Sequence, residues 1–277
     1  MTKFALIALS FLSFSTVQAA APVGAPTAPK ANPAPSSAPL AAPAASESSK
    51  DDKVLWDVWY TATLNGTLHY IYYNEKAEIK GKKIHMQVNL WRQEDGFINE
   101  EQIGEFAENS PNLTPLFYNF HSVAKGLETM IDGTVENDGK LLTVRVRKGK
   151  QDQPVVKGVL PPKTFFSQFT PIWLGTRISA MPQGKTFSFS SILEDRADLG
   201  FKPITCQIRK EAPDEIANRT KTSRVWVDCT NLKSFWWVDE QGHTARIEVP
   251  EQSVVVERVE KAVALKFFEA STTAPKK

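Results

Sequence analysis

Cysteine and histidine are scarce in this chain of 277 residues, with two of the first and four of the second. The cysteines form no C-x-x-C pair and have no histidine near them in sequence. No H-x-H, H-E-x-x-H or acidic calcium loop occurs either, so a metal centre is not expected. His69, His85, His121 and His243 stand outside any nucleophile motif such as G-x-S-x-G, which leaves no catalytic residue and no cofactor to assign. The acidic pairs Glu100 with Glu101 and Asp228 with Asp239 read as charges on wet strand faces rather than as a catalytic dyad. Long apolar runs are absent as well. The run Phe4–Phe14 covers eleven residues, short of the roughly twenty that span a bilayer, so no transmembrane anchor is expected in the mature chain. Excess charge of one sign is also missing. Setting aside residues 1–50 removes Lys3, Lys30, Lys50 and Glu47 and leaves thirty bases against thirty acids. A phosphate-tracking surface needs clustered cation, so no nucleic-acid partner is expected.

What is present begins at the N-terminus. Residues 1–19 join a cation at Lys3 to an apolar run and to small residues at Val17 and Ala19, the pattern of a cleaved secretory signal. The mature chain is therefore expected to be exported, to the periplasm or the exterior of a bacterial cell envelope. Residues 20–50 are almost wholly Ala, Pro and Ser with no aromatic side chain. Such a stretch cannot bury enough surface to offset its ordering entropy, so it reads as a disordered linker. Its prolines favour polyproline backbone at roughly 3 Å per residue, which makes it a tether of up to about 90 Å. The first cysteine is Cys206, so the start of the mature chain offers no thiol for a lipid anchor.

Residues 51–268 alternate apolar and polar side chains with period two, between regular turn clusters. Asn65-Gly66 suits a two-residue type I′ hairpin turn, which predicts Thr61 opposite Tyr70, Tyr60 opposite Ile71 and Trp59 opposite Tyr72. Further strands are predicted near 84–91, 102–108, 116–123, 127–135, 141–148 and 155–160. After a looser middle they resume near 186–191, 202–210, 224–230, 234–239, 244–249 and 253–260. No segment of twelve or more residues carries a helical stripe. The fold class is thus mostly β, a curved antiparallel meander, half-barrel or barrel-like, with at most short helices and a disordered tail over 269–277. Cys206 shares a strand face with Ile204 and Ile208, and Cys229 with Val225 and Val227. Both point into one core, where an exported protein favours a disulfide and two buried thiols are the alternative. The aromatic stretch Pro161–Met181 breaks the cadence and reads as a plug or short helix closing one end of the core, or else as a lid over an apolar cavity.

The stretch Trp236–Glu248 has the form W-V-D-x-x-G-x-x-x-R and resembles the closing hairpin of bacterial secreted β-sheet domains of unknown function, some of which precede transglutaminase-like domains. The Pro-Pro segment followed by Gln183, Gly184, Lys185, Thr186 and Phe187 resembles the central stretch of the same group. Those domains are similar in outline to the periplasmic lipoprotein-carrier superfamily, a likeness that implies a curved sheet around an apolar cavity over about residues 54–265. The chain runs only a few residues beyond Phe268, so an acyl-transfer role is not carried over.

The aromatic surplus is the remaining lead. Trp59, Tyr72, Phe165, Phe166 and Trp173 are expected to border a hydrophobic cleft that holds a lipid, an acyl chain or a lipoprotein by area burial, without catalysis. One alternative is a scaffold that binds another envelope protein on the extended tether. A secreted hydrolase is a second.

Overall fold

The computed structural model describes residues 52–66, 68–94, 97–194, 201–229 and 232–272. The expected signal peptide and linker, residues 1–19 and 20–50, lie outside them.

Sixteen strands form one sheet among the described residues. The first seven make an antiparallel meander: β1 (Lys53–Leu64), β2 (Leu68–Lys80), β3 (Lys83–Glu94), β4 (Phe97–Glu108), β5 (Pro115–Ala124), β6 (Leu127–Glu136) and β7 (Leu141–Lys148). Two short strands, β8 (Gln151–Asp152) and β9 (Val156–Val159), both lie on β7. The chain then crosses to the other end of the sheet, where β10 (Thr164–Phe166) runs parallel to β11 (Thr186–Ile192). A second antiparallel meander returns through β12 (Ile204–Lys210), β13 (Ser223–Cys229), β14 (Leu232–Val238), β15 (Thr244–Val249) and β16 (Val254–Val259) to pair with β1. No pairing joins β10 to β8 or β9, so the sheet does not close. The mostly β, curved meander predicted from alternation is what the chain forms.

Inward positions carry the core. Ile103 and Ala107 on β4, Val144 and Val146 on β7, and Val225 and Val227 on β13 are all buried at period two. Cys206 and Cys229 sit directly opposite one another on β12 and β13 and form a disulfide with Cα atoms 4.3 Å apart. The bridge closes a 23-residue interval, so in the chain-entropy picture replacing both cysteines by alanine lowers the unfolding free energy by about 3 kcal/mol, read from urea titrations.

The β1–β2 hairpin departs from the predicted register. Leu64 pairs with Leu68, which leaves three residues rather than two in the turn, and Asn65 and Gly66 take positive φ angles of 53° and 73°. A second slip follows, because Thr63 pairs with His69 and Ala62 with Ile71, leaving Tyr70 as a bulge. Each one-residue slip alone would turn the strand over, and together they restore its faces. Tyr60 thus meets Tyr73 instead of Ile71, with ring centroids 4.5 Å apart.

Three short helices complete the chain: α1 (Thr170–Gly175), α2 (Glu215–Thr220) and α3 (Lys261–Thr272). The segment α2 lies in the loop between β12 and β13. Asp214 caps it by accepting from the Ala217 amide at 2.8 Å, and six residues are too few to show a period. The last helix is twelve residues long and runs past Phe268, so 269–272 are helical where a disordered tail was expected; residues 273–277 lie outside the described residues. Its apolar residues Ala262, Val263, Ala264 and Leu265 are consecutive and leave no stripe to read.

The stretch after β10 is a plug. A 3-10 turn, Ser167–Phe169, leads into α1, and Phe165, Phe166, Phe169, Leu174 and Ile178 are fully buried. Phe166 meets Tyr118 of β5 edge to face at 5.2 Å. Tyr118 in turn covers Gly133 on β6, where an added Cβ would fall 1.8 Å from the ring. The plug therefore lies against the inner face of both meanders.

Candidate functional site

Two loci concentrate chemistry, one inside the curled sheet and one outside it. Inside, three glutamates occupy inward positions: Glu75 on β2 between Tyr73 and Ala77, Glu105 on β4 between Ile103 and Ala107, and Glu194 just past β11. All three are buried, and desolvation raises the pKa of each. Glu75 is pushed up to about 7, although the Trp56 indole donates to it at 2.9 Å. Glu194 accepts from the Ser167 amide at 2.9 Å and from the Ser167 hydroxyl at 2.6 Å. Glu105 Oε1 accepts from the Gln168 amide at 3.4 Å, and the Glu194 carboxyl is among the groups that raise its pKa. Burial, with the Glu194 carboxylate beside it, holds the Glu105 carboxyl well above the usual carboxylate range.

The arrangement fastens the plug to opposite walls of the sheet. The space beside it, lined by Tyr73, Glu75, Gln168, Trp236 and Thr244 among others, measures about 10 Å³, room for roughly one water. A substrate has no way to reach Ser167, which is 2 % exposed. Among the described residues, no three His, Cys, Asp or Glu side chains converge in a way that could hold a metal ion. Glu105 and Glu194 thus hold the backbone of Ser167 and Gln168 through buried hydrogen bonds. Near one end of the same inner face Arg92 pairs with Glu101 at 2.7 Å. Glu101, read from sequence as a wet-face charge, is buried in that ion pair.

The W-V-D-x-x-G-x-x-x-R stretch docks the plug from the second meander. Asp239 Oδ1 accepts from the amides of Gln241 and His243 at 2.9 and 2.8 Å, and its Oδ2 meets the His243 ring at 2.9 Å. The turn so fixed puts Gly242, at φ +90°, against the Pro171 carbonyl, and brings Gly175 of α1 onto the Gly242 backbone. Trp237 is buried and donates to Asp214 at 2.9 Å, while Arg246 pairs with Glu248 and Glu257.

Outside, Trp59, Trp91 and Tyr72 stack across β1, β3 and β2. Trp59 and Trp91 lie 6.1 Å apart, and Trp91 and Tyr72 5.6 Å apart, with rings within 12° of parallel. Beside Trp59 runs a groove of about 590 Å³ lined by Asp57, Val58, Trp59, Arg258, Val259, Glu260 and Lys261. It exists because β1 outruns its neighbour. β16 pairs only with Trp59–Leu64, then leaves the sheet after Val259 to begin α3, while β2 pairs along β1 from Lys53 onward. The Lys261 ammonium lies 5.6 Å from the Trp59 ring centroid.

No family model and no curated protein sequence matches the chain. Among solved structures it is similar to a beta-barrel-like protein of the domain of unknown function DUF1849 from Brucella abortus, with a TM-score of 0.50 at 10% identity over 74% of this chain and 95% of that one. The likeness is one of fold. A DUF1089 family protein from Pseudomonas aeruginosa reaches a TM-score of 0.37 at 14% identity, over 65% and 90% of the two chains, too remote to define a common fold. What the chain shares with the Brucella abortus protein is the beta-barrel-like curl of its sheet.

The five aromatic residues singled out from sequence divide between the two loci. Trp59 and Tyr72 belong to the outer stack, and Trp59 lines the groove. Phe165 and Phe166 are 1 % and 0 % exposed, and Trp173 packs at 5.8 Å on Phe165 and 5.5 Å on Phe189. The structure does not gather them into one cleft, because strand alternation sends Trp59 to one face of the sheet while the plug fills the other. Glu75, Glu105 and Glu194 escaped the sequence reading. The signal for the first two was an acid at an inward register position, between Tyr73 and Ala77 and between Ile103 and Ala107.

Proposed function

We propose that this chain is a non-catalytic binding domain of the bacterial cell envelope that engages a partner through the outer groove at Trp59. One observation carries the reading: the sheet's interior is occupied by its own plug, whereas a concavity large enough for a partner lies outside. The groove combines apolar wall, from Val58, Trp59 and Val259, with charges of both signs at Asp57, Arg258, Glu260 and Lys261. That mixture suits a protein segment better than a bare acyl chain. The disulfide and the secretory pattern of residues 1–19 support an exported setting. An acyl chain held inside the sheet, as the likeness to lipoprotein carriers implies, would require the plug to leave.

A photo-crosslinking residue placed at Asp57, and separately at Phe166, tests the proposal in living cells. Asp57 is expected to capture an envelope protein, and Trp59→Ala to reduce that capture at least tenfold, as for loss of an aromatic anchor. Lipid captured at Phe166, with nothing at Asp57, would reverse the assignment.

A further inference from the structure

We infer that β9 is a second docking edge, which takes up an extended acidic segment of a partner protein as an added strand. It lies at the opposite end of the first meander from Trp59 and does not depend on the groove there.

The backbone supplies the first support. β9 pairs with β7 alone, setting Val156, Lys157, Gly158 and Val159 opposite Val144, Thr143, Leu142 and Leu141. One step further on, the Leu160 amide donates to the Lys140 carbonyl at 2.8 Å. Antiparallel pairs alternate between bonded and non-bonded, so Val156 and Gly158 also turn their amides and carbonyls toward β7. Lys157 and Val159 turn theirs to the other side, where no strand of the described residues pairs with them. That side is open. Val155 is 53% and Val159 77% exposed, and a Cβ added at Gly158 would meet nothing within 4 Å. Such an edge is a template for one more strand, and Pro154 and Pro161 bracket its length.

Side chains supply the second. Val155, Lys157 and Val159 share one face at period two, beside Thr143 and Leu141 of β7. Residues 140–163 hold seven Lys and Arg against one acid, Asp152, in a chain that carries 33 against 31 overall. Asp132 of β6 draws on Arg145 and Arg147 from the far side of β7, which leaves Lys157 as the cation in the middle of the edge. A matching segment therefore sets an acid opposite Lys157 and apolar side chains two residues to either side, against Val155 and Val159. A second copy of this chain matches poorly, because a two-fold pairing brings two basic edges together. A bilayer surface offers anionic phosphate but no donors and acceptors in register with the amides and carbonyls of Lys157 and Val159.

The test titrates the chain purified from its host into a fluorescent peptide, TVTETVT, and reads anisotropy at low salt. The inference predicts binding about fivefold tighter than for TVTKTVT, with the preference reversed in Lys157→Glu. Val159→Pro is expected to weaken the binding of TVTETVT at least tenfold and to keep the melting temperature, because that amide points away from β7. The same peptide N-methylated at alternate amides should fail to bind the unaltered chain. Trp59→Ala should bind TVTETVT as the unaltered chain does. No binding of TVTETVT, or equal binding by Val159→Pro, overturns the inference. Retention on phosphatidylglycerol vesicles without peptide binding would assign the basic face to a membrane surface instead. A dimer lost in Val159→Pro, again without peptide binding, would assign the edge to a second copy; either result overturns the inference.

Discussion

Raising the pH from about 5 to 7.5 is expected to weaken the folded chain by about 2 kcal/mol through Glu75 alone. Burial lifts this carboxyl from 4.5 to about 7. Between those values the folded state holds a proton that the unfolded state has released, so stability is full below pH 4.5 and is lost as pH climbs through 7. Glu105 and Glu194 are raised by the same burial and act in the same direction. Half-buried Asp132 adds to it. His85, pushed down by burial, works the other way below about pH 6.5. Glu78, held at about 2 by Lys80, His85 and Lys76 against its burial, matters only in the acid range. Urea unfolding at several pH values measures the slope, and Glu75→Gln should flatten it between pH 5 and 7.5. A slope unchanged by that substitution would mean that Glu75 is not titrating in the folded interior. Because the acids fasten Ser167 and Gln168, hydrogen exchange in the plug should rise before global unfolding as pH increases.

Gly242→Ala is expected to cost roughly 3 kcal/mol or more, the range of strained backbone with steric overlap. An added Cβ would stand 2.6 Å from the Pro171 carbonyl oxygen and 3.1 Å from the Ile172 Cα, all backbone that cannot swing aside, at a φ of +90° that alanine resists. Gly175→Ala probes the same contact from the other side, with its Cβ 2.3 Å from the Gly242 amide nitrogen. Since both changes push apart one interface, the double variant should cost clearly less than the sum. Gly158→Ala on β9 is the control. Its Cβ meets nothing within 4 Å, so the melting temperature should hold. Loss of cooperativity in Gly242→Ala, with dye binding to newly exposed Phe165 and Phe166, would show that this turn keeps the plug seated. A melting curve matching that of Gly158→Ala would refute the close approach.

Much of the strand order was readable from the amino acids because alternation with period two is a direct record of which side chains face the core. The pairing of Cys206 with Cys229 followed from the same rule. The register of the first hairpin did not, because the bulge at Tyr70 leaves no mark in composition. The helix α2 is too short to repeat a period, and α3 has apolar residues on every side. The aromatic residues were visible but their faces were not distinguished. Trp59 and Phe166 look alike as hydrophobic surplus, and only the path of the plug separates a surface anchor from core. The groove arises where β16 stops pairing with β1 at Trp59, a mismatch of strand ends far apart in sequence that no local pattern encodes.

The central claim is that this sheet is filled by its own chain and binds from the outside. Native mass spectrometry of the chain purified from its host envelope without detergent tests it most directly. The structure predicts the mass of the bare polypeptide with its disulfide. A stoichiometric lipid or fatty acid carried through purification, and lost on disrupting the plug with Gly242→Ala, would contradict it.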